Sequence, residues 1–64
     1  MSLTVREWRR VREISQENMA QSLGIHVNTY QLWEKNPEKI PISKAMEIAS
    51  LLNVGMDDIV FQET

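Results

Sequence analysis

Sixty-four residues suit one domain and leave too little chain for a second independent core. With 42% hydrophobic and 25% charged residues the composition is that of an ordinary folded domain, while the absence of cysteine and the single His exclude a disulfide framework and a structural zinc site. The net charge of −2 is unevenly spread: up to Lys35, Arg6, Arg9, Arg10, Arg12 and Lys35 outweigh Glu7, Glu13, Glu17 and Glu34 by one, and the acidic excess lies beyond, where Lys39 and Lys44 face Glu38, Glu47, Asp57, Asp58 and Glu63.

Val5, Trp8 and Val11 recur at spacings of three, which fits a helix and not strand alternation, and predicts a first helix over 4–12. Ser15 is a favoured N-cap, and Glu17 falls in the first turn, where a carboxylate offsets the helix dipole. Met19, Ala20 and Leu23 then form the apolar stripe of a second helix over 16–23. Gly24 is placed to take the left-handed conformation that ends it. A third helix is predicted over 27–35, with Tyr30 and Trp33 on its inner face and Asn28, Thr29, Gln31 and Leu32 directed mostly elsewhere. Asn36 is a plausible left-handed stop and Pro37 cannot continue the ladder. Ser43 is expected to cap a fourth helix with Ala45, Ile48, Ala49 and Leu52 inward. Gly55 is expected to open a fifth, short helix, with Asp57 and Asp58 at its positive end and Ile59 inward. Trp8, Tyr30 and Trp33 read as core rather than as stacking platforms for bases.

Two short helices joined through a Gly-containing turn, over about 15–35, have helix-turn-helix spacing. The run Ser15-Gln16-Glu17-Asn18-Met19-Ala20-Gln21-Ser22-Leu23-Gly24-Ile25, then Tyr30-Gln31-Leu32-Trp33-Glu34, then Pro41, Ile48-Ala49, Leu52, Val54 and Ile59, resembles the Cro and phage-repressor type helix-turn-helix family. The resemblance covers nearly the whole of residues 1–64. It implies an all-α, compact five-helix domain of the lambda-repressor-like type that binds duplex DNA in a sequence-specific way, as a transcriptional regulator of the phage or prokaryotic repressor kind.

Carried over position by position, the resemblance makes Gln16 a phosphate and sometimes base contact, and 27–35 the recognition helix whose start enters the major groove. Asn28 suits a bidentate contact to adenine, Thr29 a base edge or phosphate, and Val27 a thymine methyl; Gln31 and Leu32 complete the expected DNA-contacting set. Ser15, Lys35, Asn36 and Lys39 are candidate phosphate contacts. Arg9 and Glu34 match a structural ion pair tying the first helix to the end of the recognition helix. Glu13 stands where the family often has Gly, Asn36 replaces the Gly that usually follows Glu34, and His26 replaces a Ser or Thr cap. His26 reads as a surface residue at the start of the helix, with a phosphate contact as the alternative.

A core this small rarely supplies more than about 3 to 5 kcal/mol, so a partner subunit is one expected source of stability. Met56, Val60 and Phe61 form the candidate dimer interface of a homodimer on a near-palindromic site, the alternative being that Phe61 folds back on its own core. One His and two distant glycines furnish no catalytic triad and no phosphate-cradling loop, so no enzyme activity, metal, cofactor or small-molecule ligand is expected. No apolar run approaches the roughly 18 residues of a membrane span and no leader pattern opens the chain, so the expected setting is cytoplasmic, in a prokaryotic cell or phage-infected host. The acidic balance keeps a second class open: a helix-turn-helix-fold protein-interaction module or antitoxin-like partner protein.

Overall fold

The computed structural model describes residues 1–62. In chain order these form β1 (Leu3–Thr4), α1 (Val5–Val11), α2 (Gln16–Leu23), α3 (Val27–Lys35), a 3₁₀ turn (Pro37–Lys39), α4 (Ile42–Leu52), a second 3₁₀ turn (Met56–Asp58) and β2 (Ile59–Val60). Instead of a fifth α-helix there is one 3₁₀ turn, after which the chain extends and pairs in parallel with its own beginning, Leu3 opposite Ile59 and Thr4 opposite Val60. No described helix is long and apolar enough to cross a membrane.

Local chemistry accounts for the helix starts. Thr4 caps α1 in a reciprocal box: its hydroxyl accepts from Glu7 N at 3.2 Å, and the Glu7 carboxylate accepts from Thr4 N at 2.9 Å. These bonds hold the Glu7 carboxyl below its ordinary range. Ser15 Oγ accepts from Asn18 N at 3.0 Å at the start of α2. At α3 the cap is His26, whose Nδ1 accepts from Asn28 N at 3.0 Å. The expected cap on α4 is not used: the helix begins at Ile42 behind Pro41, placing Ser43 inside the first turn. The proline carbonyl accepts from Ala45 N at 2.8 Å, and the φ of −60° its ring imposes already suits helix entry.

Three helices end the same way, with one residue in the left-handed region and two crossed bonds back into the last turn. After α1 the residue is Glu13 (φ 56°), after α2 Gly24 (φ 70°) and after α4 Asn53 (φ 58°). The outer bonds run from Ile14 N to Arg9 O (3.1 Å), Ile25 N to Ala20 O (3.0 Å) and Val54 N to Ala49 O (3.0 Å). Glu13 thus occupies a backbone position that favours Gly, whereas Gly24 and Asn53 are suited to theirs. Asn36 differs from expectation, at φ −131° rather than left-handed. Pro37 disfavours helical backbone at the residue before it, and the Asn36 backbone N–H and side-chain amide both donate to Leu32 O instead, at 2.8 and 3.1 Å.

The core comprises Val5, Met19, Ala20, Leu23, Tyr30, Ile40, Ala45, Ile48, Ala49, Leu52 and Ile59, with Trp8, Trp33, Val27 and Phe61 among the half-buried side chains packed on it. Val11 is not inward but 54% exposed. At 3.6 residues per turn, two steps of three carry it about 120° around α1 from Val5. Trp8 of α1 and Arg12 just beyond it bind the end of α4 and the turn that follows: Trp8 Nε1 donates to Asp58 O at 2.7 Å, and Arg12 Nε donates to Leu52 O at 2.8 Å with its guanidinium 5.2 Å from the Trp8 ring.

Candidate nucleic-acid interface

The turn from Gly24 to His26 sets α2 against α3, and a buried carboxylate holds the pair to α1. The Glu34 side chain is wholly inaccessible. Arg9 Nε donates to Glu34 Oε2 at 2.6 Å, Gln16 Nε2 donates to Oε1 at 3.0 Å, and Arg6 Nε lies 3.5 Å from Oε1. Arg9 also donates to Ile14 O at 2.8 Å, so one guanidinium ties the end of α1 to α3. Burial pushes the Glu34 carboxyl up, but the hydrogen bonds from Arg9 and Gln16, the nearby Tyr30 hydroxyl and the Arg9 charge outweigh it and hold the group below its ordinary range. The Tyr30 hydroxyl is buried without a well-formed hydrogen bond among the described residues, near enough to favour the carboxylate electrostatically. Its own ionisation is pushed far up, by burial first and by Glu34 second.

With Tyr30 and Glu34 turned inward, α3 leaves Asn28, Gln31, Leu32 and Lys35 exposed, and Leu32 is 58% accessible. Residues 28, 32 and 35 share a helical face by spacing. Thr29 is half-buried, and Val27 is half-buried against the core. Gln16 lies at the edge of this face, half-buried, and its Oε1 accepts from Gln31 Nε2 at 3.2 Å. Ser15 uses an oxygen lone pair on its cap and keeps its hydroxyl proton for another acceptor. Lys35 and Lys39 are exposed, whereas one amide hydrogen of Asn36 is committed to Leu32 O.

A helix-turn-helix family model matches residues 5–59, a span that takes in the four α-helices of the described residues. The chain belongs to the Cro- and phage-repressor-type helix-turn-helix family. That family consists of DNA-binding regulatory domains, typically without enzymatic activity. A search of curated proteins and a search of solved structures each returned no significant match.

In this helix-turn-helix domain the three residues read as a dimer patch line two depressions that share Pro37 and Gln62. Met56 (37% exposed) and half-buried Phe61 line a groove of about 280 Å³ with Ile40, Ile42 and Ala45. Val60 lines a different depression, with Thr4, Arg6, Glu34 and Lys35. Successive residues of an extended segment point to opposite sides, which separates Val60 from Phe61. Phe61 packs on the core, and the most exposed apolar side chains of α4 are Ile42 (73%) and Met46 (59%). Their spacing of four, off the inward stripe, is a sequence signal for that second face. Lys44 was also missed: its Nζ donates to Leu23 O at 2.9 Å, closing the C-terminal end of α2, and lies 3.2 Å from Glu47. Such a long-range contact leaves no local signal. Among the described residues no cluster of His, Asp and Glu is placed to hold a metal ion.

Proposed function

We propose that this helix-turn-helix domain recognises a specific duplex DNA sequence by laying the exposed face of α3 in the major groove, and that it acts as a transcriptional regulator of the phage or prokaryotic repressor type. The observation that carries this reading is the two-sided character of α3. Its inner side is fixed by buried Tyr30 and the Glu34 network, while Asn28, Gln31 and Leu32 stand exposed beside Gln16 on a rigid support. Asn28 offers the donor and acceptor pair that matches adenine, Leu32 and Val27 offer apolar contact to thymine methyls, and Thr29 serves either a base edge or a phosphate. Ser15, Gln16, Lys35, Asn36 and Lys39 surround this face as phosphate contacts. A homodimer on a near-palindromic site, with half-sites about 34 Å apart, completes the reading, with the groove at Met56 and Phe61 as the contact between copies.

Selection from a random duplex pool tests it. The wild-type chain enriches a near-palindrome, and an Asn28→Ala, Thr29→Ala variant loses about five- to 150-fold in discrimination at the contacted bases, as expected for bidentate contacts of about 1 to 3 kcal/mol. Absence of enrichment even at low salt overturns the proposal. The exposed Ile42 and Met46 and the net charge of −2 favour one second reading, a protein-interaction module or antitoxin-like partner on the same fold. Its binding would show the shallow salt dependence of an apolar contact rather than the steep one of phosphate neutralisation.

A further inference from the structure

Three amide and carboxylate groups from two helices form a chain whose orientation is dictated from its buried end. Glu34 is ionised and therefore accepts only, so Gln16 must turn its NH₂ toward it, at 3.0 Å. The Gln16 carbonyl then faces away from Glu34, and Gln31 must present its own NH₂ to it, at 3.2 Å. One Nε2 hydrogen of Gln16 is spent on Glu34 and the second is unspent among the described residues, a donor suited to a phosphate oxygen. Gln31, although exposed on the α3 face, holds the other side of that amide.

We infer that Gln31 is a positioning residue, fixing the Gln16 amide so that its free N–H meets a DNA phosphate, rather than a residue that itself reads a base. The inference rests on the DNA-binding reading above. It gives α2 and α3 a shared polar contact at the proposed DNA face, so that Gln16 reaches the backbone with its amide already ordered. Ordering before binding removes part of the entropy that an exposed Gln would otherwise lose on contact.

A double-mutant cycle tests it, with affinities for the duplex selected by the wild type measured by fluorescence anisotropy for Gln31→Met, Gln16→Met and the double variant. Met keeps the length of Gln without its donor. Gln31→Met is expected to weaken binding about three- to tenfold, the range of one hydrogen bond. The double variant is expected to bind no more weakly than Gln16→Met alone, and the melting temperature of Gln31→Met to stay at the wild-type value. A Gln31→Met loss that persists in full when Gln16 is already Met assigns Gln31 a direct DNA contact and overturns the inference, as does no loss in the wild-type background. A wild type that selects no duplex fails the DNA reading itself. The positioning claim is then decided by ¹⁵N relaxation of the Gln16 side-chain amide in the free protein: a drop in its order in Gln31→Met upholds the positioning, and unchanged order overturns it.

Discussion

Replacing Arg9 by Met removes the shortest contact of the Glu34 carboxylate and leaves its charge in place. The carboxylate is wholly inaccessible and the Arg9 side chain only 12% exposed, so the pair falls among buried bridges, where loss of one partner costs about 3 to 5 kcal/mol. Arg6 at 3.5 Å and Gln16 at 3.0 Å remain, which puts the expected loss near the lower figure, about 3 kcal/mol. For a domain of this size each kcal/mol moves the melting temperature by roughly 4 to 8 °C, so a fall of roughly 12 to 24 °C is expected. Urea denaturation at pH 7 and again near pH 4 supplies the sharper signature. In the wild type the Glu34 carboxyl titrates below its ordinary 4.5, so its contribution is complete above that pH and is lost as pH falls through the lowered value. In Arg9→Met the hydrogen bonds and charge of Arg9 no longer oppose burial, the carboxyl titrates higher than in the wild type, and acidification relieves the buried charge, so stability rises on going from pH 7 to 4 relative to wild type. Arg9→Met, Glu34→Met together, which bury no charge, should recover most of the loss. A cost below about 1 kcal/mol with an unchanged pH profile would show that the pair behaves as an exposed bridge and refute this reasoning.

Glu13→Gly should raise stability by about 0.5 to 1 kcal/mol in urea denaturation, because Glu13 sits at φ 56° without the freedom Gly has there; a loss of stability would contradict the left-handed assignment. His26→Ala should cost about 0.5 to 1 kcal/mol and speed hydrogen exchange at the Asn28 amide, while His26→Asp, a better N-cap, should restore both. Exchange at Asn28 that ignores both changes would remove the cap. Trp8→Phe keeps an aromatic ring in place but strips the donor to Asp58 O, and should cost about 1 kcal/mol and loosen the pairing of Leu3–Thr4 with Ile59–Val60, visible as faster amide exchange in β2.

Helices α2 and α3 were legible to the residue because their punctuation is local: Ser15 at one end, Gly24 in the turn and Pro37 beyond. The ends of α1 and the start of α4 were less so. Ser43 is the better capping side chain, yet Pro41 starts α4 through backbone geometry alone. The two-residue strands are too short for alternation to show, and their pairing joins residues at opposite ends of the chain. Apolar spacing placed Val5 and Trp8 correctly but overreached at Val11, where a period of three drifts off the helical one. The groups gathered around Glu34 divide along the same line. Arg9 came from the family pattern, whereas Arg6 and the Gln16 amide are brought to Glu34, and the Gln31 amide to Gln16, by tertiary packing that no local spacing announces.

The most direct test of DNA reading by α3 is amide chemical-shift mapping of the ¹⁵N-labelled protein titrated with its selected duplex. Shifts concentrated at residues 15–18 and 26–32, with little change along the inner stripe of α4, are the predicted result. Shifts confined to the groove around Ile42, Met56 and Phe61, with α3 unmoved, would contradict it.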